Sequence, residues 1–234
     1  MTIPVLFEDE HILAVDKPRD IHVHPTRMSR GEESVQSLLE DLMAVRLYPA
    51  HRLDRPVGGV LLIAKSAEVA SALGTALRGR DGLDKRYLCV VRGWMEGMGT
   101  IDRPMRQAPG KPEREAATKW RGLATAEAPW SDGIFPASRY SLVECVLITG
   151  RYHQVRRHLS WTSHPIMGDI PHGDNPRNRI WREHTGLDGL MLRAHRLSFL
   201  HPVSGARISL TAPPDERFLE AARIFGWGEN LVTE

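Results

Sequence analysis

Apolar residues in this chain come in short, strand-length runs spread over nearly all of its 234 positions. Residues 4–16 read as two strands, VLFE and HILAVDK, joined by an acidic turn at Asp9 and Glu10. GVLLIAK (59–65), KRYLCVVRG (85–93), SLVECVLITG (141–150), LMLRAHRLSF (190–199) and ARISLTA (206–212) read as further strands. Helical spacing interrupts them at irregular intervals. Val35, Leu38, Leu39 and Leu42 recur at i, i+3, i+4 and i+7, and Ser66 can cap a helix bearing Val69, Ala72, Leu73, Ala76 and Leu77 on one face, with Gly79 as its stop. HQVRRHLSW (153–161) also reads as helical, and a terminal helix starts near Asp215 with Phe218, Ala222 and Phe225 on one side. Residues 103–116 and 125–137 fit neither period and read as an exposed excursion and a second irregular stretch. Without regular β-α-β alternation, the pattern predicts a mixed α+β fold in place of a doubly wound one. With no repeat or linker, one compact domain over 1–234 is expected.

The composition, 41% hydrophobic and 26% charged, is that of an ordinary globular protein long enough to bury a core. Cys89 and Cys145 each lie in an apolar run and form no C-x-x-C pair, so buried, reduced thiols and a cytoplasmic location are expected. The N-terminus lacks the pattern of a signal peptide, and no apolar run reaches the length of a membrane span. A net charge of +2 permits an anionic partner without demanding one, so local clustering matters more.

The densest cluster is HRLDRPVGG (51–59). Asp54 sits between Arg52 and Arg55, with His51 before them and Pro56, Gly58 and Gly59 after. Flanking guanidinium groups favour the ionised carboxylate, and a Pro/Gly-rich turn at the mouth of a strand can present it as a nucleophile or base. The bland alternative is an aspartate that holds its turn through salt bridges. GRYHQVRRH (150–158) holds three arginines and two histidines and no acid. At the start of a helix it favours phosphate, or else it is a solvated basic face. Tyr87 fits a strand core or a site, and Lys17 fits a phosphate contact or an exposed strand end. His153, His158 and His164 lack metal-ligand spacing, and no dinucleotide or nucleotide-triphosphate loop occurs, so neither metal nor cofactor is implied.

HRLDRPVGGVLLIAKS resembles the signature around the catalytic aspartate of the RluA family of pseudouridine synthases. VLFEDEHILAVDKP, KRYLCVVRG, TGRYHQVRRHLSWTSHPIMGD and LMLRAHRLSFLHPVSG match that family in order, over nearly the whole chain. HPIMGDIPHGD, the following NR and Trp, and the tail FGW look most like the tRNA pseudouridine-65 synthase branch. The resemblance implies a mixed, largely antiparallel central sheet flanked by helices, and RNA, most simply tRNA, as substrate, without a cofactor. The first strand begins almost at Met1, so no extra N-terminal RNA-binding domain is expected, and a monomer is expected as well. It makes Asp54 the catalytic aspartate, Tyr87 the tyrosine against the target base, and Arg156 the arginine that pairs with the aspartate. Arg52, Arg55, His51, Arg151, Gln154 and Arg157 would surround the substrate, and Leu192 would form an apolar wall. Asp20 stands where a glycine usually follows Lys-Pro, Val57-Gly58 where Thr-Ser is usual, and Tyr152 where Thr or Lys is common. A ribosomal or different tRNA uridine, and a non-catalytic RNA-binding module, are the alternatives.

Overall fold

The computed structural model describes residues 2–25, 31–77, 84–108, 110–228 and 230–233. In chain order the elements are β1 (Val5–Glu8), β2 (Ile12–Lys17), α1 (Val35–Met43), β3 (Tyr48–Pro49), β4 (Gly58–Ala64) and α2 (Ala67–Ala76). Then come β5 (Asp84–Arg92), β6 (Met98–Asp102), β7 (Met105–Arg106), β8 (Glu113–Arg114), β9 (Ala117–Ala128) and β10 (Ser138–Leu147). The chain ends with α3 (Gln154–Trp161), α4 (Asn175–Thr185), β11 (Leu192–Leu200), β12 (Arg207–Thr211), α5 (Glu216–Phe225) and α6 (Asn230–Thr233). This is the expected α+β class, with largely antiparallel strands flanked by helices. The residues group into two compact units, 1–85 with 194–212 and 86–193 with 213–234.

In the first unit β2 lies between β1 and β4, β3 pairs with β4, and β12 pairs with β11, each pairing antiparallel. Every residue of β4 is buried, which explains its unbroken apolar run. Alternate residues build the core: Ile12 and Ala14, Val60 and Leu62, Leu197 and Phe199, Leu210 and Ala212, with Leu73 and Leu77 of α2 against them. Gly59 lets β4 pass close to the backbone of β11. Its φ is 117°, and a Cβ there would stand 2.1 Å from the Ala194 carbonyl oxygen. Ser66 caps α2 as expected, accepting a bond from Val69 N, and Ser34 caps α1 in a box with Ser37. Leu42 departs from the predicted face of α1 and is exposed, one residue before the helix ends; Gly79 lies outside the described residues.

In the second unit β10 pairs with β5 and β9, and β6 with β9, all antiparallel. Strand β9 reaches Ala128, into the stretch expected to be irregular from 125 onward. Gly122 and the register shift opposite Leu142 and Val143 break its alternation, because a Cβ at Gly122 would meet the Met95 carbonyl oxygen. Residues 103–116 are mostly exposed, as expected, but carry the β7–β8 ribbon and the buried Met105. Helix α4 was not anticipated: its sequence NPRNRIWREHT buries only Trp181. Asp215 caps α5, where Phe218 and Ala222 are buried as predicted. Cys89 and Cys145 are buried and unpaired.

Candidate active site

The aspartate turn joins β3 to β4 in the first unit. Leu53 and Val57 are buried on either side of it, and Val57 N donates to the Asp54 carbonyl at 3.0 Å. The inward anchors leave Asp54 half-buried and Arg52 and Arg55 exposed. A second loop, at the end of β2, clasps this turn through the backbone of Arg55. Asp20 N donates to the Arg55 carbonyl at 2.8 Å, and Arg55 Nε returns a bond to the Asp20 carbonyl at 3.1 Å. Asp20 has a φ of 62°, the left-handed conformation that glycine favours and aspartate tolerates, so the loop keeps a glycine-type backbone despite the substitution. Val57 and Gly58 are both buried, so that departure lies in the packing.

Lys17 is neither exposed nor at hand for phosphate. It is fully buried, and its Nζ donates to the carbonyls of Pro18 at 2.8 Å and Arg55 at 3.1 Å. Burial pulls its pKa down to about 8, against the opposing pull of the Asp20 and Asp54 carboxylates. A buried cation thus stands within electrostatic reach of Asp54 and holds its loop. His51 turns inward: its Nε2 accepts a bond from Leu62 N at 3.1 Å. Burial and the Lys85 ammonium press its pKa to about 3, so the ring is neutral and its accepting nitrogen serves β4.

The second unit carries the arginine cluster. Helix α3 begins at Gln154 behind His153, whose φ of 54° is left-handed and whose side chain makes no cap bond. Gln154 is buried: its Oε1 accepts from Thr149 Oγ1 and Arg151 N, and its Nε2 donates to the Ala117 carbonyl and Thr118 Oγ1. Those bonds make it a brace between β9 and α3, in place of the substrate contact expected. His158 is also buried. Its Nε2 donates to the Arg103 carbonyl and its Nδ1 accepts from Thr118 Oγ1, while burial lowers its pKa. It adds no charge to the basic face.

Arg156 is 4% exposed and is held by Asp169, a residue the sequence reading did not single out. Nε and Nη2 each donate to one Asp169 oxygen at 2.8 Å. This side-on, bidentate pair fixes the guanidinium plane. The loop around Asp169 is built for it. A Cβ at Gly168 would stand 1.9 Å from the Gly189 carbonyl oxygen, and one at Gly173 would stand 2.0 Å from that of Asp169. Asn178 of α4 braces the same loop, accepting from Gly168 N and donating to the Asp169 carbonyl. The Gly-Asp and Gly-Asp pairs in MGDIPHGD are the sequence signal that could have pointed here.

Arg151 and Arg157 stand beside a cavity of about 220 Å³ lined by Arg106, Arg114, Arg151, Tyr152 and Arg157. Four guanidinium groups around one hollow suit an anionic ligand. Arg157 also donates to the Arg106 carbonyl at 2.9 Å, and Arg151 to that of Glu115 at 3.0 Å, which fixes both. Tyr87, on β5 opposite Cys145, is half-buried, and Leu192 is buried at the start of β11. Among the described residues no group of three or more His, Cys, Asp or Glu is disposed to hold a metal. Nor is any helix among them long and apolar enough to cross a membrane.

Fold and site together define a class: an α+β protein with a clasped carboxylate turn and an arginine-lined hollow suited to a polyanion. The family model for RNA pseudouridylate synthases matches residues 11–161, and the chain belongs to that family of enzymes. The tRNA pseudouridine synthase C of Pasteurella multocida (strain Pm70) is 40% identical over 243 residues, covering 99% of this chain and 100% of the relative. Its counterpart in Vibrio cholerae serotype O1 is 36% identical over 241 residues, covering 98% of each. Among solved structures, Human RNA Pseudouridylate Synthase Domain Containing 1 shares the fold with a TM-score of 0.70 at 21% identity, covering 91% of this chain and 84% of that one.

Proposed function

We propose that this pseudouridine synthase converts a uridine of tRNA, with Asp54 as its catalytic carboxylate and the two units working as one catalytic domain. The observation that carries the reading is likeness over the full length to relatives named tRNA pseudouridine synthase C. The resemblance of the Asp169 loop and the C-terminal tail to that branch points to uridine 65. The reaction breaks the N1–C1′ bond of uridine, turns the uracil, and rejoins it through C5. The C5 proton leaves, N1 gains one, and no redox partner is involved.

Such a reaction needs an ionised carboxylate at C1′ and C2′ of the ribose, able to attack C1′ or to take the C2′ proton. In this reading Arg156, with its plane set by Asp169, pairs with the Asp54 carboxylate and keeps it charged and oriented. Tyr87 packs on the base once it has left its stack, where aromatic stacking offsets about 1–3 kcal/mol of the cost. Arg52, Arg55, Arg151 and Arg157 take the flanking phosphates. The buried, unpaired thiols suit a reducing cytoplasm. A pseudouridine map of total RNA from cells with and without the gene tests the substrate. Loss confined to one tRNA position is expected, whereas loss at a ribosomal uridine would overturn the choice of tRNA.

A further inference from the structure

The guanidinium of Arg156 is held on a second side by a pair of histidines. Arg156 Nη1 lies 3.1 Å from His153 Nε2, and His153 Nδ1 lies 2.8 Å from His172 Nε2. A guanidinium has donors only, so His153 Nε2 must accept and cannot carry a proton. The ring is therefore neutral with its proton on Nδ1, and that N–H donates to His172. His172 Nε2 is then an acceptor too, so its ring is neutral with the proton on Nδ1. One fixed donor at Arg156 thus dictates both tautomers.

The chain closes on itself. His172 N donates to Asp169 Oδ1 at 3.1 Å, the same oxygen that accepts Arg156 Nη2. Arg156, His153, His172 and Asp169 form a ring of hydrogen bonds around the guanidinium. Backbone and stacking lock its least ordinary member: His153 holds its φ of 54° beneath Tyr152, whose ring stacks on it at 3.7 Å and 21°. A left-handed histidine without a capping bond is a costly way to begin a helix, yet it points the imidazole at Arg156.

We propose that His153 and His172 are positioning residues for the isomerisation, acting through Arg156. Asp169 sets the plane of the guanidinium, and the histidine pair sets its angle at Nη1, so that Arg156 meets the catalytic carboxylate already aligned. This rests on the reading of Arg156 as the partner of Asp54. Neither histidine touches substrate or exchanges a proton with it. Lost alignment of such a group costs rate far more than binding.

The test uses the full chain and an unmodified tRNA transcript carrying C5-tritiated uridine. His172→Phe removes the acceptor, and His172→Gln restores one through Oε1. His153→Asn keeps the left-handed backbone and gives up the bond to Nη1. Under single turnover at saturating enzyme, His172→Phe and His153→Asn should lose about tenfold or more in rate with RNA affinity within about twofold. His172→Gln should return to within about threefold of the unaltered protein. Full rate in His172→Phe, or equal losses in His172→Phe and His172→Gln, would overturn the proposal. Nitrogen-15 shifts of the two rings form a separate readout that needs no activity. Both should report the Nδ1–H tautomer, and a protonated Nε2 on either ring would overturn the hydrogen-bonded chain. An unaltered protein that is inactive on tRNA but shows both tautomers would instead overturn the proposed function, and with it the positioning role.

Discussion

Asp54 owes its setting to residues that never reach the substrate in the proposed reaction. Lys17 and Asp20 grip the carbonyl of Arg55, and Leu53 and Val57 pin the turn from within. Asp54→Asn should therefore fold and bind RNA normally while losing all measurable tritium release, because an amide can neither attack nor deprotonate the ribose. Lys17 makes the site sensitive to alkali. Its folded pKa of about 8 lies below the 10.5 of an ordinary lysine, so keeping it charged at neutral pH costs about 3 kcal/mol. Between about pH 8 and 10.5 the unfolded chain binds the proton and the folded one does not, so this group makes stability rise with pH in that window. Above about pH 8 the folded Lys17 ceases to be a cation, and the charge-assisted bond from its Nζ to the Arg55 carbonyl, which holds the turn beside Asp54, weakens. The saturated rate should accordingly fall above about pH 8 without a matching fall in stability. Lys85 titrates in the same region, so the control is Lys85→Met, which should retain the alkaline limb, whereas Lys17→Met should start from a lower rate and lack it. The reverse pattern would contradict the assignment.

At the scale of elements, helix α3 divides its arginines by face. Arg156 points into the unit at 4% exposure, and Arg157, about 100° further round, lines the basic cavity. Arg156→Lys should lower saturated turnover much more than RNA affinity, since an ammonium cannot reproduce the bidentate fit to Asp169. Arg157→Ala should weaken binding and reduce its salt slope by about one, leaving saturated turnover nearly intact. Strand β4 has its own test: Gly59→Ala combines a φ of 117° with a 2.1 Å approach to Ala194, and a loss of at least about 2 kcal/mol in denaturant unfolding is expected. Most strands were legible because burial on one or both faces leaves an apolar run. Helix α4 was not, because Trp181 alone is buried and no periodicity arises. Its ends were in fact marked, by Asp174, Pro176 and Gly186, and a reading of caps would have found it. In the site, the sequence marks charge and loses sight of burial. His51, Gln154 and His158 look like ligand contacts in a basic string, yet each spends hydrogen-bonding groups on its own fold. Asp169 becomes the partner of Arg156, and His172 that of His153, only when the two glycines fold their loop back, so spacing along the chain does not mark either.

For the molecule as a whole, the chain passes between its two units at 85/86, 193/194 and 212/213, next to or within strands. No linker composition marks those passages, which is why the sequence reads as one domain. The aspartate turn lies in the first unit and the arginine helix in the second, while the family match over residues 11–161 takes in both motifs. In the proposed function this chain isomerises one uridine of tRNA through Asp54. The decisive measurement incubates the purified protein with tRNA from cells lacking the gene and maps pseudouridine along each molecule. A single tRNA uridine should be converted by the unaltered protein and by none of the Asp54→Asn preparations, although both bind the tRNA alike. Conversion by Asp54→Asn at near-normal rate, or no conversion of any tRNA uridine by the unaltered protein, would contradict it.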